Sequence, residues 1–201
     1  ITKFISGASD VIAGAICGTE AFIGELMDLH MGPLMLLGPT MDPTIAAGIS
    51  LRLPHLPLRI KAHSERALAM TSRLQELGLK VCYPGLPDHP DHKLFAELHC
   101  DEYGYGGVFT LDVGDEDKAN ALMSCLQNEQ RFGYLAVSLG YFDTLMSCSG
   151  SSTSSELTEE DKASAGISPG LLRISIGYTG TLEQRWTQLL AALRHTGLVP
   201  A

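Results

Sequence analysis

Leu171-Leu172-Arg173-Ile174-Ser175-Ile176-Gly177-Tyr178 is the stretch on which the fold turns. Its aliphatic residues crowd into one short run, as a strand buried in a sheet requires. One arginine interrupts them. Arg173 either presents its planar two-donor fork to a carboxylate or lies on the solvent face of the strand, and its neighbours alone leave both readings open.

Working outward, Thr181 to His195 follows helical spacing, with Leu182 to Leu193 on its apolar face. Towards the N-terminus, Leu135 to Leu139 reads as a strand, and Glu116 to Gln127 as a helix with Ala119, Leu122, Met123 and Leu126 inward. Gly107 to Val113 alternates as a strand does, and Lys80 to Tyr83 is a short strand ended by Pro84-Gly85. A long helix is predicted from Leu58 to Leu77, with Leu58, Ala62, Ala69 and Leu77 as its apolar side and Gly78 as its C-cap. Strands and helices mixed in this way predict an α/β domain of about 140 residues.

Further upstream the pattern changes. Residues 1–18 are small, apolar and glycine-rich, and Val11 to Cys17 reads as a strand buried on both faces. Such a strand needs neighbours, and few candidates follow before Leu79. This segment is therefore expected to be a piece of a larger sheet. Thr19 to Leu29 has helical spacing through Phe22, Ile23, Leu26 and Leu29, and a connection rich in Met, Leu and Pro leads to a short helix at Thr44 to Leu53.

Charge and composition exclude several classes. The 201 residues carry a formal charge of −9, the wrong sign for a phosphate backbone, so nucleic acid is not an expected partner. No apolar run is long enough to cross a bilayer, so no membrane partner is expected. Cys17, Cys82, Cys100, Cys125 and Cys148 lack CxxC spacing and read as reduced thiols.

Four groups could carry chemistry. Lys3 precedes a glycine turn and an apolar run, which predicts a poorly solvated amine suited to condensing with a carbonyl, against the plainer reading of a surface lysine. Ser147 to Ser155 has the composition of a linker, although its hydroxyls could also donate to an anion. Thr158-Glu159-Glu160-Asp161 reads as a helix start. His89 and His92 lie among prolines beside Asp88 and Asp91 without a third ligand at a zinc spacing, so no metal is expected. Met31, Met35 and Met41 read as packing residues.

Taken together, these pieces resemble one family. Thr2-Lys3-Phe4-Ile5-Ser6-Gly7-Ala8-Ser9-Asp10 resembles the lysine-bearing motif of the Cys/Met-metabolism enzymes that use pyridoxal 5'-phosphate (PLP). Ser138-Leu139-Gly140, Thr153 and Gly166 to Gly177 resemble its C-terminal motifs in order and spacing, and Leu86 to His92 and Tyr105-Gly106-Gly107 its middle. Within the family, Leu37 to Met41 and Ser147 to Leu157 are most similar to the plant methionine γ-lyase subgroup. The resemblance covers essentially the whole chain.

It implies a type I (aspartate-aminotransferase-like) PLP fold, present in part: residues 1–57 as the end of the large PLP domain, residues 58–201 as connecting helix and C-terminal α/β domain. It implies PLP as cofactor, with Lys3 bearing it and moving protons at the substrate's α and β carbons, and with Thr2 donating to its phosphate. Arg173 would clamp the substrate carboxylate, with Ser138 and Thr153 near it. The implied reaction is γ-elimination of L-methionine to 2-oxobutanoate, methanethiol and ammonia, in a cytoplasmic homo-oligomer built as a dimer of dimers. Val137 stands where cystathionine-cleaving relatives carry Glu, which favours a simple thioether. Ala8 stands where many relatives have His, and Asp143 where Glu is common. Two alternatives are a transsulfuration enzyme of the cystathionine γ-synthase or β-lyase type, and a non-catalytic fragment that pairs with full-length subunits. The family's remaining cofactor ligands precede its lysine, so the 201 residues alone are expected to be inactive.

Overall fold

The computed structural model describes residues 1–150 and 156–200, and the chain divides into two units, Ile1–Leu56 and Pro57–Ala201.

The first unit opens on a tight turn. Ser6 N donates to Ile1 O at 2.9 Å and Gly7 N to Lys3 O at 2.8 Å, and Gly7 takes the left-handed φ of 74° that ends the turn. Three helices follow: α1 (Glu20–Leu26), α2 (Pro33–Leu37) and α3 (Pro43–Arg52). Thr19 caps α1 by accepting from Phe22 N, and Asp42 caps α3 by accepting from Thr44 N and Ile45 N, with Pro43 at the first position. Helix α2 lies in what the sequence suggested was a plain connection.

Val11 to Cys17 does not form the expected buried strand. It runs without regular ladder bonds, and Ile12 is 97% exposed. A strand exists only through a ladder of partners, and here Thr2 N donates to Ala13 O at 3.3 Å without a ladder following from it.

The second unit begins with α4 (Leu56–Glu76) and builds a five-stranded sheet, in the order β1 (Lys80–Cys82), β2 (Val108–Asp112), β5 (Leu171–Ser175), β4 (Thr144–Cys148), β3 (Gly133–Leu135). All neighbours are antiparallel except β3 and β4. Between strands lie α5 (His92–Leu98), α6 (Glu116–Asn128), α7 (Glu159–Ser164) and α8 (Leu182–His195). Thr158 caps α7, and Thr181 caps α8 by accepting from Gln184 N. Side chains alternate across a strand, so Phe109, Leu111, Met146, Cys148, Leu172 and Ile174 share one face. They form a single core with Met70 and Leu74 of α4, Leu122 and Leu126 of α6 and Leu189 and Leu193 of α8.

Two expectations shift. On α4 the buried face is Arg59, His63, Ala67, Met70 and Leu74, whereas Leu58 is 71% exposed. Polar residues win this face because the loops beneath offer partners. His63 Nδ1 donates to Ile176 O at 2.6 Å, and Ser64 Oγ accepts from Gly106 N at 2.9 Å; a carbonyl only accepts, so the proton sits on Nδ1. The expected strand at Leu135 to Leu139 ends at Leu135. The chain then has only residues 136–143 in which to return and pair in parallel with β4, too few for further ladder.

Candidate active site

Ser138 lies in that return loop, and the loop is held by β5 and the residues after it. Arg173 Nη2 donates to Ser138 O at 3.2 Å, Gly140 N to Ser175 Oγ at 2.9 Å, and Gly177 N to Thr144 Oγ1 at 3.0 Å. Gly177 passes so close to the loop that a Cβ there would stand 2.4 Å from the Asp143 carbonyl carbon. Arg185 completes the support, bridging Asp143 Oδ1 at 3.0 Å and the Arg131 carbonyl oxygen at 2.8 Å.

Arg173 is the centre of the arrangement. It faces away from the apolar core, in register between Thr110 of β2 and Ser147 of β4. Its guanidinium is half-buried, and desolvation draws its pKa below the ordinary arginine value. Among the described residues no carboxylate pairs with it. A partly desolvated cation with an open fork is suited to an anionic ligand.

Ser147, read from sequence as part of a linker whose hydroxyls could donate to an anion, lies instead in a buried strand beside Arg173. Its residue is 4% exposed, and its hydroxyl has no hydrogen-bond partner. Strand β4 has no counterpart in the sequence reading: the linker-like stretch begins at Ser147, although Ser147 and Cys148 close a strand whose every residue is buried. Only pairing with β5 reveals it.

Lys3 and Thr2 lie in the first unit. Lys3 is exposed on its turn rather than poorly solvated as expected, because the turn projects it outward and the apolar run after it is not packed away. Thr2 Oγ1 donates to Ala13 O at 3.2 Å and accepts from Ala13 N at 3.0 Å. Its one hydroxyl proton is thus committed, and donation elsewhere requires rotation about χ1. The turn is fixed from below: Ser6 Oγ bonds Asp10 Oδ1 at 3.1 Å, and Asp10 takes a two-pronged grip on Arg52 at 2.6 Å. That arginine holds the Asp10 carboxyl down at about 2. An apolar groove of about 670 Å³ lies in the same unit, lined by Ile12, Ile16, Leu34 and Met41, and Lys3 is not part of it. Thr153 lies outside the described residues. His89, His92, Asp88 and Asp91 do not gather as a metal-binding group among the described residues; His92 Nδ1 instead donates to Pro84 O.

Known proteins place this geometry in context. A family model described as Cys/Met metabolism PLP-dependent enzyme matches residues 1–185. The chain is 59% identical over 188 residues to methionine gamma-lyase of Arabidopsis thaliana, covering 94% of this chain and 43% of that protein. It is 31% identical over 179 residues to the chloroplastic cystathionine gamma-synthase 1 of the same organism, covering 88% and 30%. The crystal structure of cystathionine gamma synthase from Xanthomonas oryzae pv. oryzae in complex with cystathionine superposes with a TM-score of 0.82 at 33% identity, over 98% of this chain and 49% of that one. The chain spans less than half the length of the curated relatives it matches.

Proposed function

The chain belongs to the family of Cys/Met metabolism PLP-dependent enzymes, and from that premise we propose that its protein is a PLP-dependent carbon–sulfur lyase. The reaction is γ-elimination of L-methionine to 2-oxobutanoate, methanethiol and ammonia. One observation carries the choice of substrate: identity to a methionine gamma-lyase is 59%, against 31% to a cystathionine gamma-synthase of the same organism. Val137, exposed and apolar beside Ser138, supports it, since it offers nothing to the charged far end of cystathionine.

The residues present suit the cofactor by the chemistry of their donors. Lys3 is a primary amine on an ordered turn, exposed to an incoming aldehyde, and it would hold PLP through Nζ. Thr2 would turn its hydroxyl from Ala13 to the phosphate. When bound, PLP supplies an electron sink for negative charge developing on the substrate's carbons. Lys3 Nζ takes the proton from the substrate α carbon and moves one at the β carbon. Arg173 receives the substrate carboxylate on its two-donor fork, and its hold on Ser138 O keeps that fork oriented. Ser138, whose carbonyl Arg173 holds, stands beside the carboxylate clamp, and Thr153 joins it on the resemblance alone.

A homo-oligomer assembled as a dimer of dimers and a cytoplasmic location complete the reading. The large apolar side chains exposed at Leu29, Met31 and Leu37 support assembly. Among the described residues no helix is long and apolar enough to cross a membrane. The test is product analysis on the PLP-loaded protein isolated at its native length, offered L-methionine, L-cystathionine, or an activated homoserine with cysteine. Methanethiol and 2-oxobutanoate from methionine are expected; preferential turnover of cystathionine, or its synthesis, would replace this reading with the transsulfuration one.

A further inference from the structure

A second group of chemically active side chains lies on the helices of the second unit. Cys125 is on α6, and Glu129 caps the same helix one turn later, so both project from one side of it. His195 is the last residue of α8, which packs against α6. The Cys125 sulfur, a Glu129 carboxylate oxygen and a His195 ring nitrogen all lie within 4.8 Å of one another. His195 Nε2 and Glu129 Oε2 are 3.9 Å apart.

We propose that Cys125, Glu129 and His195 bind a transition-metal dication of the zinc and cobalt class, clamping the C-terminal end of α6 to that of α8. The donor set selects the class. A thiolate and an imidazole suit zinc or cobalt, whereas magnesium and calcium favour oxygen alone. Tetrahedral zinc bonds of about 2.0–2.3 Å place adjacent ligand atoms about 3.3–3.6 Å apart, so the three groups close by about 1 Å. Glu129 and His195 can supply that movement, because their side chains are 53% and 64% exposed. Cys125 is buried and stays as the fixed root of the site. Binding displaces the thiol proton to solvent. Without metal, burial and the neighbouring Glu129 carboxylate keep that proton on sulfur. The fourth position opens to water, as it does in three-ligand sites.

This site is separate from the substrate face. Cys125 packs into the core that covers one side of the sheet, and Arg173 projects from the other. The net charge of −9 favours cation accumulation around the protein. Its role is a clamp between two helix ends, which stabilises the unit by mass action.

The test uses the whole chain under reducing conditions, with the exposed Cys17, Cys82 and Cys100 changed to Ser so that surface thiols do not respond. Cobalt(II) is titrated while the thiolate-to-metal charge-transfer band in the near ultraviolet is followed. One band saturating at one equivalent per chain is expected, displaced by zinc(II). His195→Ala and Glu129→Gln should each weaken binding at least about tenfold. Because both residues are exposed, these variants should fold even where Cys125→Ser does not. Zinc should raise the melting temperature of the parent and leave that of His195→Ala unchanged. A missing thiolate band, or a band that survives both substitutions at full affinity, overturns the proposal.

Discussion

Arg173 shows how one residue is decided by what surrounds it. In the sequence it could be a surface cation or a carboxylate clamp; in the sheet it is half-buried, between Thr110 and Ser147, and it donates to Ser138 O. Arg173→Lys keeps the charge and loses the fork, so kcat/KM for methionine should fall about 10- to 100-fold while the fold persists. Steady-state kinetics alongside circular dichroism checks this. Asp10 makes a second prediction. Arg52 depresses its folded pKa from 3.8 to about 2, so the unfolded chain takes up the proton first as pH falls. The stabilisation is therefore complete above the unfolded value of 3.8 and is lost on acidification through about 2. Urea unfolding of wild type and Asp10→Asn should differ above that window and converge within it; a gap that stays constant with pH would refute the pairing. His63 acts in the same sense, at a higher pH. Burial lowers its pKa below 6.5, so the unfolded chain binds more protons below that pH and stability declines as pH falls through it. His63→Gln should flatten this slope.

At the scale of elements, α4 was recognised and its buried face was not. Summed apolarity pointed to Leu58 and Leu77, yet the helix turns Met70 and Leu74 to the core and commits His63 and Ser64 to the loops below. The contrast gives a paired test by denaturant unfolding. Met70→Ala should cost about 2–5 kcal/mol through the cavity it leaves, and Leu58→Ala should cost almost nothing. Caps behave more simply, because a threonine before acidic first-turn residues is a local signal: the helix start at Thr158 was legible as such in the sequence. Strands were the least legible elements. Strand β4 runs into the hydroxyl-rich stretch only at Ser147 and Cys148, and Val11 to Cys17 looks like a strand without being one. For β4 the partner β5 is remote in sequence, and for Val11 to Cys17 no ladder forms.

At the scale of the molecule, the second unit holds its own clustered core, running from Ala67 to Val199. Residues 57–201 produced alone should therefore unfold cooperatively, as scanning calorimetry would show. A broad, non-cooperative transition would mean that this core does not suffice.

The sequence by itself determined the mixed α/β class, most helices and the helix start at Thr158, the central arginine strand, and the motifs that mark the PLP-dependent family. Those features are local or nearly so: helical spacing, a capping hydroxyl, and a lysine and an arginine within short recognisable runs. Tertiary structure alone decided the face that α4 buries, the existence of β4, the ladder-free course of Val11 to Cys17, and the exposure of Lys3. It alone gathered Cys125 and Glu129 with His195, which lies 66 residues further along the chain. The reason is physical. Strand pairing, burial of polar groups and metal-ligand geometry depend on atoms that the fold brings together across long stretches of chain, and no window of sequence contains both partners.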